Sequence, residues 1–360
     1  MSPIRFDAGR RIVRPRVVAA LTLGLVASGA LTACGGGSDG GGDSGGLDKV
    51  SVTVSHWPTS GYSATYMVGM DKGFFEEEGI ALDGIVPGAG GGTTVRSITT
   101  GDLDFGDVAT TGLVQAAAAG APLVGIGTSS GSIADLVWVA RKDSPFNSLK
   151  DFCGNGVWGI TAPGSNSEAL TALMAQASGL DPKCVKTVST GDLAAGLVLV
   201  RSGEVDASIL TEPLLTTEMA KGDLKTVGDA VDILPNYIQV VTVASQKLID
   251  ENPDLVQRFM NAIAKSQQFI REHPDEAGVI FAEGAGIDEK TGVDVMTRLA
   301  ADESYFTQAL SVEGLTNTIE GMKVLGAYDG KTIPWDDLID QQFLPEDSRI
   351  DLSQLPGYKG

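Results

Sequence analysis

The chain has 360 residues, 42% of them hydrophobic and 6% aromatic, and a formal net charge of −20. That length exceeds what one hydrophobic core usually holds, so two lobes are expected. Arg5, Arg10, Arg11, Arg14 and Arg16 stand beside the lone acid Asp7, which leaves 21 basic against 45 acidic residues in the rest of the chain. A surface of that sign repels phosphate backbones and anionic headgroups, which argues against nucleic acid as a partner.

The basic region ending at Arg16 leads into an apolar run from Val17 to about Leu31, closed by Leu31-Thr32-Ala33-Cys34. This reads as a signal peptide over 1–33. The small residues before Cys34 form a lipobox, at which bacterial lipoprotein precursors are cut and the cysteine is diacylated. The run is short for a membrane span. Cys34 is thus the expected lipidation site, and the Arg10-Arg11 pair leaves Sec or twin-arginine export open. Residues 34–47, almost all Gly, Ser and Asp after the cysteine, form a flexible tether with no means of packing. The expected location is the extracytoplasmic face of the bacterial cell membrane, with the lipid anchor as the only attachment.

The folded body opens with Lys49 to Val54, a strand by alternation and β-branching. A loop, His56-Trp57-Pro58-Thr59-Ser60-Gly61, leads to a helix from Tyr62 to Asp71. A second strand follows to Val86, then a glycine turn at Gly88 to Gly92 and a helix from Thr93 to Thr100. Asp104-Phe105-Gly106 begins another strand, and Thr110-Thr111-Gly112 opens an Ala-rich helix. Leu123 to Ile126 reads as a buried strand before the polar loop Gly127 to Ser132. Leu136 to Ala140 reads as an apolar strand ending at Arg141-Lys142-Asp143-Ser144-Pro145, where a second series begins and runs through Val157 to Thr161, Val185 to Ser189 and Val205 to Leu210, with helices between. Tyr237 to Ala244 is a further strand, after which the pattern is almost all helical from Gln246 to about Val324. Such alternation predicts an α/β fold with mainly parallel sheets flanked by helices.

Two short stretches echo one another. Ser97 to Asp104 and Val200 to Asp206 both run helix, Gly, acid, apolar residue, Asp, strand, with glycine as the helix stop. Cys153 and Cys184 each precede a predicted strand of one βαβ unit, which puts strand starts side by side. Outside the cytoplasm that suits a disulfide, with two buried free thiols as the alternative.

Catalytic motifs are absent from the sequence. The two histidines, His56 and His273, lie far apart, and there is no metal-ligand spacing, nucleophile elbow or phosphate loop. No cofactor is expected, and the chain is not expected to be an enzyme. Binding is better supported, because several predicted strands end in polar loops that start helices. In open α/β sheets ligands bind outside the carboxyl ends of strands. Trp57 offers an aromatic wall or ordinary surface packing. Thr110, Thr111, Thr128, Ser165, Asn166 and Ser167 offer hydroxyls and an amide. Ser165 and Glu168 also form a capping box, so this turn reads either as a plain helix start or as a polar contact at a dipole end. Glu212 reads as a partner for an amine or ring nitrogen, or as a solvated acid. No Arg or Lys sits in these loops.

Four stretches carry a resemblance: Asp71-Lys72-Gly73-Phe74-Phe75-Glu76-Glu77-Glu78-Gly79-Ile80; Gly101-Asp102-Leu103-Asp104-Phe105-Gly106; Lys142-Asp143-Ser144-Pro145 with Ser148-Leu149-Lys150-Asp151; and Gly203-Glu204-Val205-Asp206-Ala207. In them the chain resembles the ABC-importer solute-binding proteins that include nitrate, taurine, aliphatic-sulfonate and thiamine-pyrimidine-precursor binders. The resemblance covers nearly all of the chain after the tether. It implies a two-lobed periplasmic-binding-protein fold of type II with two crossover strands, near Val137 to Arg141 and Tyr237 to Val243. Lobe 1 is expected over 48–140 and 240–360, and lobe 2 over 141–239. It implies a small polar or anionic organic solute in the interlobe cleft, of sulfonate, taurine, nitrate, pyrimidine or aromatic-acid type. The expected partners are an ABC permease and ATPase, and the protein is expected to be a monomer. The alternatives are an enzyme on the same scaffold and a surface binding or signalling lipoprotein not coupled to transport. Thr211-Glu212-Pro213 departs from the Trp-Asp-Pro that relatives often carry, and the cysteine-rich motif of pyrimidine-synthesising eukaryotic relatives is absent.

Overall fold

The computed structural model describes residues 46–88, 91–163, 165–328, 330 and 332–358. The expected signal, Cys34 and most of the tether fall outside them. The described body begins with β1 (Asp48–Ser55), where Val50, Val52 and Val54 alternate onto one fully buried face. The chain continues through α1 (Ser63–Asp71), α2 (Phe74–Glu77), β2 (Ile80–Gly88), α3 (Gly91–Thr99), β3 (Phe105–Ala109), α4 (Thr110–Ala118) and β4 (Leu123–Ser130). A second series follows: β5 (Val137–Arg141), α5 (Leu149–Phe152), β6 (Val157–Ile160), α6 (Asn166–Ala177), β7 (Lys186–Ser189), α7 (Leu193–Ser202), β8 (Ala207–Leu210), α8 (Leu214–Met219), β9 (Leu224–Asp229) and α9 (Ala230–Ile233). The chain returns as β10 (Val240–Ser245) and ends in α10 (Gln246–Glu251), α11 (Pro253–Glu272), α12 (Pro274–Ala285), α13 (Glu289–Ala300), α14 (Val312–Val324) and α15 (Trp335–Leu338).

The strands form two five-stranded sheets, β2-β1-β3-β10-β4 and β7-β6-β8-β5-β9. In each, the fourth strand runs against its neighbours: β10 against β3 and β4, β5 against β8 and β9. The remaining pairs are parallel. The two sheets match place for place, and each has its own buried cluster. This is the expected two-lobed architecture with two crossover strands. The first crossing comes earlier than expected, because residues 137–140 pair with β8 and β9 in the second sheet.

The sequence echo is an echo of role. Gly101 after α3 and Gly203 after α7 both take left-handed conformations, φ 78° and 79°. Asp104 then accepts the Ser51 amide at 2.8 Å, and Asp206 accepts the Val157 amide at 2.9 Å. In each lobe the same acid satisfies an amide of the strand in second place. Cys153 and Cys184 are joined with their Cα atoms 4.8 Å apart, just ahead of β6 and β7.

The C-terminal helices return to lobe 1. Asn252 caps α11 and Pro253 opens it; Leu255, Val256, Phe259, Met260 and Ile263 form its buried face. The Phe259 ring stacks 3.9 Å from that of Phe105. Helix does not run on to Val324, however. Between α13 and α14 the chain lies extended along β4, where Gly131 N–H reaches the Tyr305 carbonyl at 3.2 Å and Thr128 N–H the Gln308 carbonyl at 3.1 Å. An edge strand left bare would expose a row of unpaired amides. This cover lets β4 continue through Gly127 to Ser130, residues that read as a loop in the sequence.

Candidate functional site

Both crossings leave one sheet and enter the other at the same level. Residues 131–136 run from the end of β4 to the start of β5, and residues 230–239 from the end of β9 to the start of β10. Since β5 and β10 run antiparallel to their neighbours, their starts lie beside the carboxyl ends of the parallel strands. The carboxyl edges of the two sheets therefore meet at this interlobe face. The loops after β1, β3, β6, β7, β8 and β9 gather there. The crossings are also tied to each other: Gln239 N–H donates to the Ser130 carbonyl at 3.2 Å, and Ser130 Oγ donates to Gln239 Oε1 at 3.0 Å.

On the lobe 1 side, the loop after β1 is braced by Tyr62, whose hydroxyl donates to the Ser55 carbonyl at 2.8 Å. Trp57 is half-buried and packs against two of the hydrophobic clusters. Thr110 is buried; its N–H donates to the Gln239 carbonyl at 3.2 Å and its hydroxyl to the Ile238 carbonyl at 2.8 Å. It fixes the start of α4 to the returning crossing, with buried Thr111 next to it. Thr128 stands apart from this group, since its hydroxyl donates to the Thr307 and Ala309 carbonyls and so holds the covering segment on β4.

On the lobe 2 side, Ser165 caps α6 by accepting the Glu168 amide at 3.4 Å. Ser167 Oγ accepts the Thr161 amide at 2.9 Å and lies 2.8 Å from Ser165 Oγ. Asn166 Oδ1 accepts the Tyr237 hydroxyl at 2.5 Å, which links the start of α6 to the second crossing. The lobes touch on this flank through α14: a Cβ on Gly321 would come within 2.9 Å of Leu173 of α6. Two surface concavities lie elsewhere, one of about 680 Å³ beside Ala117, Gln246 and Asp340, the other of about 550 Å³ beside Lys183 and Lys323.

Glu212 is neither solvated nor free. Its side chain is 0% exposed and takes Arg298 Nε of α13 at 2.8 Å, together with the Thr216 N–H and hydroxyl, each at 3.0 Å. Arg298 thus joins lobe 1 to lobe 2. It also faces Asp135 and Asp229 electrostatically. These three acids mark adjacent strand ends: Glu212 after β8, Asp135 before β5, Asp229 closing β9. Burial, partly offset by Arg298 and reinforced by Glu212, pushes the Asp135 carboxyl up to about 7. Burial raises Asp229 as well. A further buried acid, Asp107 on β3, accepts Tyr66 and Ser129 hydroxyls at 3.0 Å and that of Thr242 at 3.1 Å, and its carboxyl is also pushed up to about 7 by burial.

Sequence reasoning had missed Arg298, Asp135, Asp229 and Tyr237. Tyr237 and Asp135 lie in the crossings, where a signal could have been sought; Arg298 lies 86 residues from Glu212, on the polar side of an ordinary amphipathic helix. Among the described residues no three His, Cys, Asp or Glu side chains gather as a metal site.

Fold and site define a two-lobed α/β protein of the periplasmic-binding class, with its polar loops at the interlobe face. The family described as NMT1/THI5 like matches residues 60–277, and the chain belongs to it. A 4-amino-5-hydroxymethyl-2-methylpyrimidine phosphate synthase of Legionella pneumophila is 26% identical over 226 residues, 62% of this chain and 69% of that one. A formylaminopyrimidine-binding protein of Halalkalibacterium halodurans is 22% identical over 235 residues, 64% of this chain and 69% of that one. The solved periplasmic aliphatic sulphonate binding protein SsuA of Escherichia coli superposes with a TM-score of 0.63 at 15% identity, covering 78% of this chain and 86% of that one.

Proposed function

We propose that the chain is the solute-binding protein of an ABC importer. It captures a small polar organic solute between its lobes at the extracytoplasmic face of the membrane, held there through lipidated Cys34, and delivers it as a monomer to a permease and ATPase. The observation that carries this reading is the meeting of both sheets' carboxyl edges through two short crossings, a geometry suited to hinge closure around a small molecule. Trp57, Thr110, Thr111, Ser165, Asn166 and Ser167 lie on the loops that would meet it, while Thr128 and Glu212 act through the segments they hold in place.

A thermal-shift screen of the mature protein against amines, pyrimidines, sulfonates, taurine, nitrate and aromatic acids tests the reading. Stabilisation by one solute class is the expected result; a folded protein that none of them stabilises contradicts it. The relatives named as pyrimidine phosphate synthases favour a second reading, an enzyme on the same scaffold. Chemical conversion of the bound solute, followed by mass spectrometry, would select that reading over transport.

A further inference from the structure

The loops of the interlobe face are acidic. The loops at the carboxyl strand ends contain no Lys or Arg, but they and the strand ends carry Asp135, Glu168, Asp192, Glu212, Asp229 and Asp232. The cation that reaches the β8-β5-β9 end of this face is Arg298, and its Nε is already bonded to Glu212. Three carboxylates at adjacent strand ends therefore share one guanidinium.

Their hydrogen bonding is unequal. Glu212 receives Arg298 and both Thr216 donors. Asp135 is 2% exposed, yet its Oδ1 has no hydrogen-bond partner, and the buried Oδ1 of Asp229 has none either; Arg298 Nη2, which faces both acids, and the Tyr305 hydroxyl, which faces Asp135, are likewise buried and unpartnered. A buried carboxylate oxygen without a donor costs about 1–3 kcal/mol, more when ionised. Native proteins retain such groups mainly where something else satisfies them. The two orphan acceptors stand where the first crossing ends and the second begins: Asp135 lies two residues before Val137, and Val137 pairs with Asp229. Residues that move when the lobes part would thus uncover both together.

We propose that the solute captured between the lobes is positively charged, and that Asp135 together with Asp229 receives its cationic nitrogen. This rests on the solute-binding reading above and adds the sign of the charge. An ammonium or amidinium group supplies N–H donors to the two orphan oxygens beyond the Arg298 Nη2 and Tyr305 hydroxyl beside them. It also brings the local charge of three acids and one arginine closer to balance, which a nitrate or sulfonate would worsen. The raised Asp135 carboxyl agrees with this, since burial beside Glu212 disfavours its charged form unless a cation offsets it. Trp57, on the loop after β1, suits a cation or the flat group that carries one.

The test is thermal melting of the mature protein in methylammonium chloride and in sodium methanesulfonate at equal ionic strength. The wild type should melt a few degrees higher in methylammonium and be unmoved by methanesulfonate. Asp135→Asn should lose the methylammonium shift. Asp229→Asn, at a half-buried position, should reduce it and guards against a folding defect in the first variant. A shift with methanesulfonate alone, no shift with methylammonium, or an equal methylammonium shift in all three proteins overturns the proposal. Stabilisation by anionic or neutral solutes in the wider screen would then remove the charge assignment and leave the solute-binding reading standing. Stabilisation by none of them would remove both.

Discussion

Replacing Arg298 with Met keeps most of the aliphatic stem and removes the cation bonded to Glu212. The carboxylate stays fully buried with only the two Thr216 donors. Breaking a buried ion pair by deleting one partner costs about 3–5 kcal/mol. Arg298 keeps 37% of its side chain exposed. Screening at its solvent side and the surviving Thr216 bonds move the expected loss to about 2–3 kcal/mol. For a body of this size that corresponds to a fall of roughly 3–5 °C in melting temperature. Adding Glu212→Gln to Arg298→Met removes the stranded charge, so the double variant should be more stable than Arg298→Met alone. Calorimetric melting of the wild type, both single variants and the double variant gives the coupling directly. If Arg298→Met melts within a degree of wild type, or if Glu212→Gln does nothing to repair it, the Arg298 bridge between the lobes is not the stabilising contact described here.

Further expectations follow from the same geometry. The Asp135 carboxyl is held near 7 in the folded protein, above the ordinary carboxylate value of 3.8, so the folded state binds a proton that the unfolded state has released. Its contribution is present below the unfolded value and lost as pH rises through about 7; between pH 5 and 7 the stability of Asp135→Asn should fall less steeply than wild type, by up to about 1.4 kcal/mol per pH unit. Equal slopes in urea melts across that range would count against a buried, protonated Asp135. At the echoed helix stops, Gly101→Ala meets open space and should cost about 1–2 kcal/mol for its left-handed backbone alone, by urea titration. Gly203→Ala should cost about the same, because the Arg141 guanidinium that its Cβ would meet at 2.5 Å is the exposed, flexible end of a side chain and can swing away. The Cys153–Cys184 link spans 31 residues. Loop-closure entropy assigns it about 3–4 kcal/mol, so the Cys153→Ser, Cys184→Ser variant should melt well below wild type under non-reducing conditions and match it under reduction.

The alternation of strands and helices was legible because short apolar runs, several of them buried along their whole length, are broken by polar loops and helix starts, and each lobe repeats the same grammar. Gly101 and Asp104 in one lobe and Gly203 and Asp206 in the other show the repeat down to the amides that the acids accept. The end of β4 was not legible. Gly127-Thr128-Ser129-Ser130 has the composition of a loop, and only the segment near Tyr305 to Leu310, far along the chain, supplies the partners that let polar residues sit in a buried strand. The site divides the same way. Helix starts at Thr110 and Ser165 could be read locally, since caps and strand ends are short-range features. The fate of Glu212 could not, because its cation comes from another lobe and another helix. Nor could Asp107, whose three hydroxyl donors come from α1, β4 and β10.

The central claim is that the two lobes close on a solute, and interlobe distance tests it most directly. Val86 and Val188 are exposed near the carboxyl ends of β2 and β7, the edge strands farthest from the crossings, so opening moves them most. Spin labels on Val86→Cys and Val188→Cys, measured by pulsed dipolar spectroscopy, report that distance without touching the site. Adding the solute that stabilises the protein most should collapse the distribution to one shorter, narrower distance. A distribution unchanged at saturating solute would contradict lobe closure.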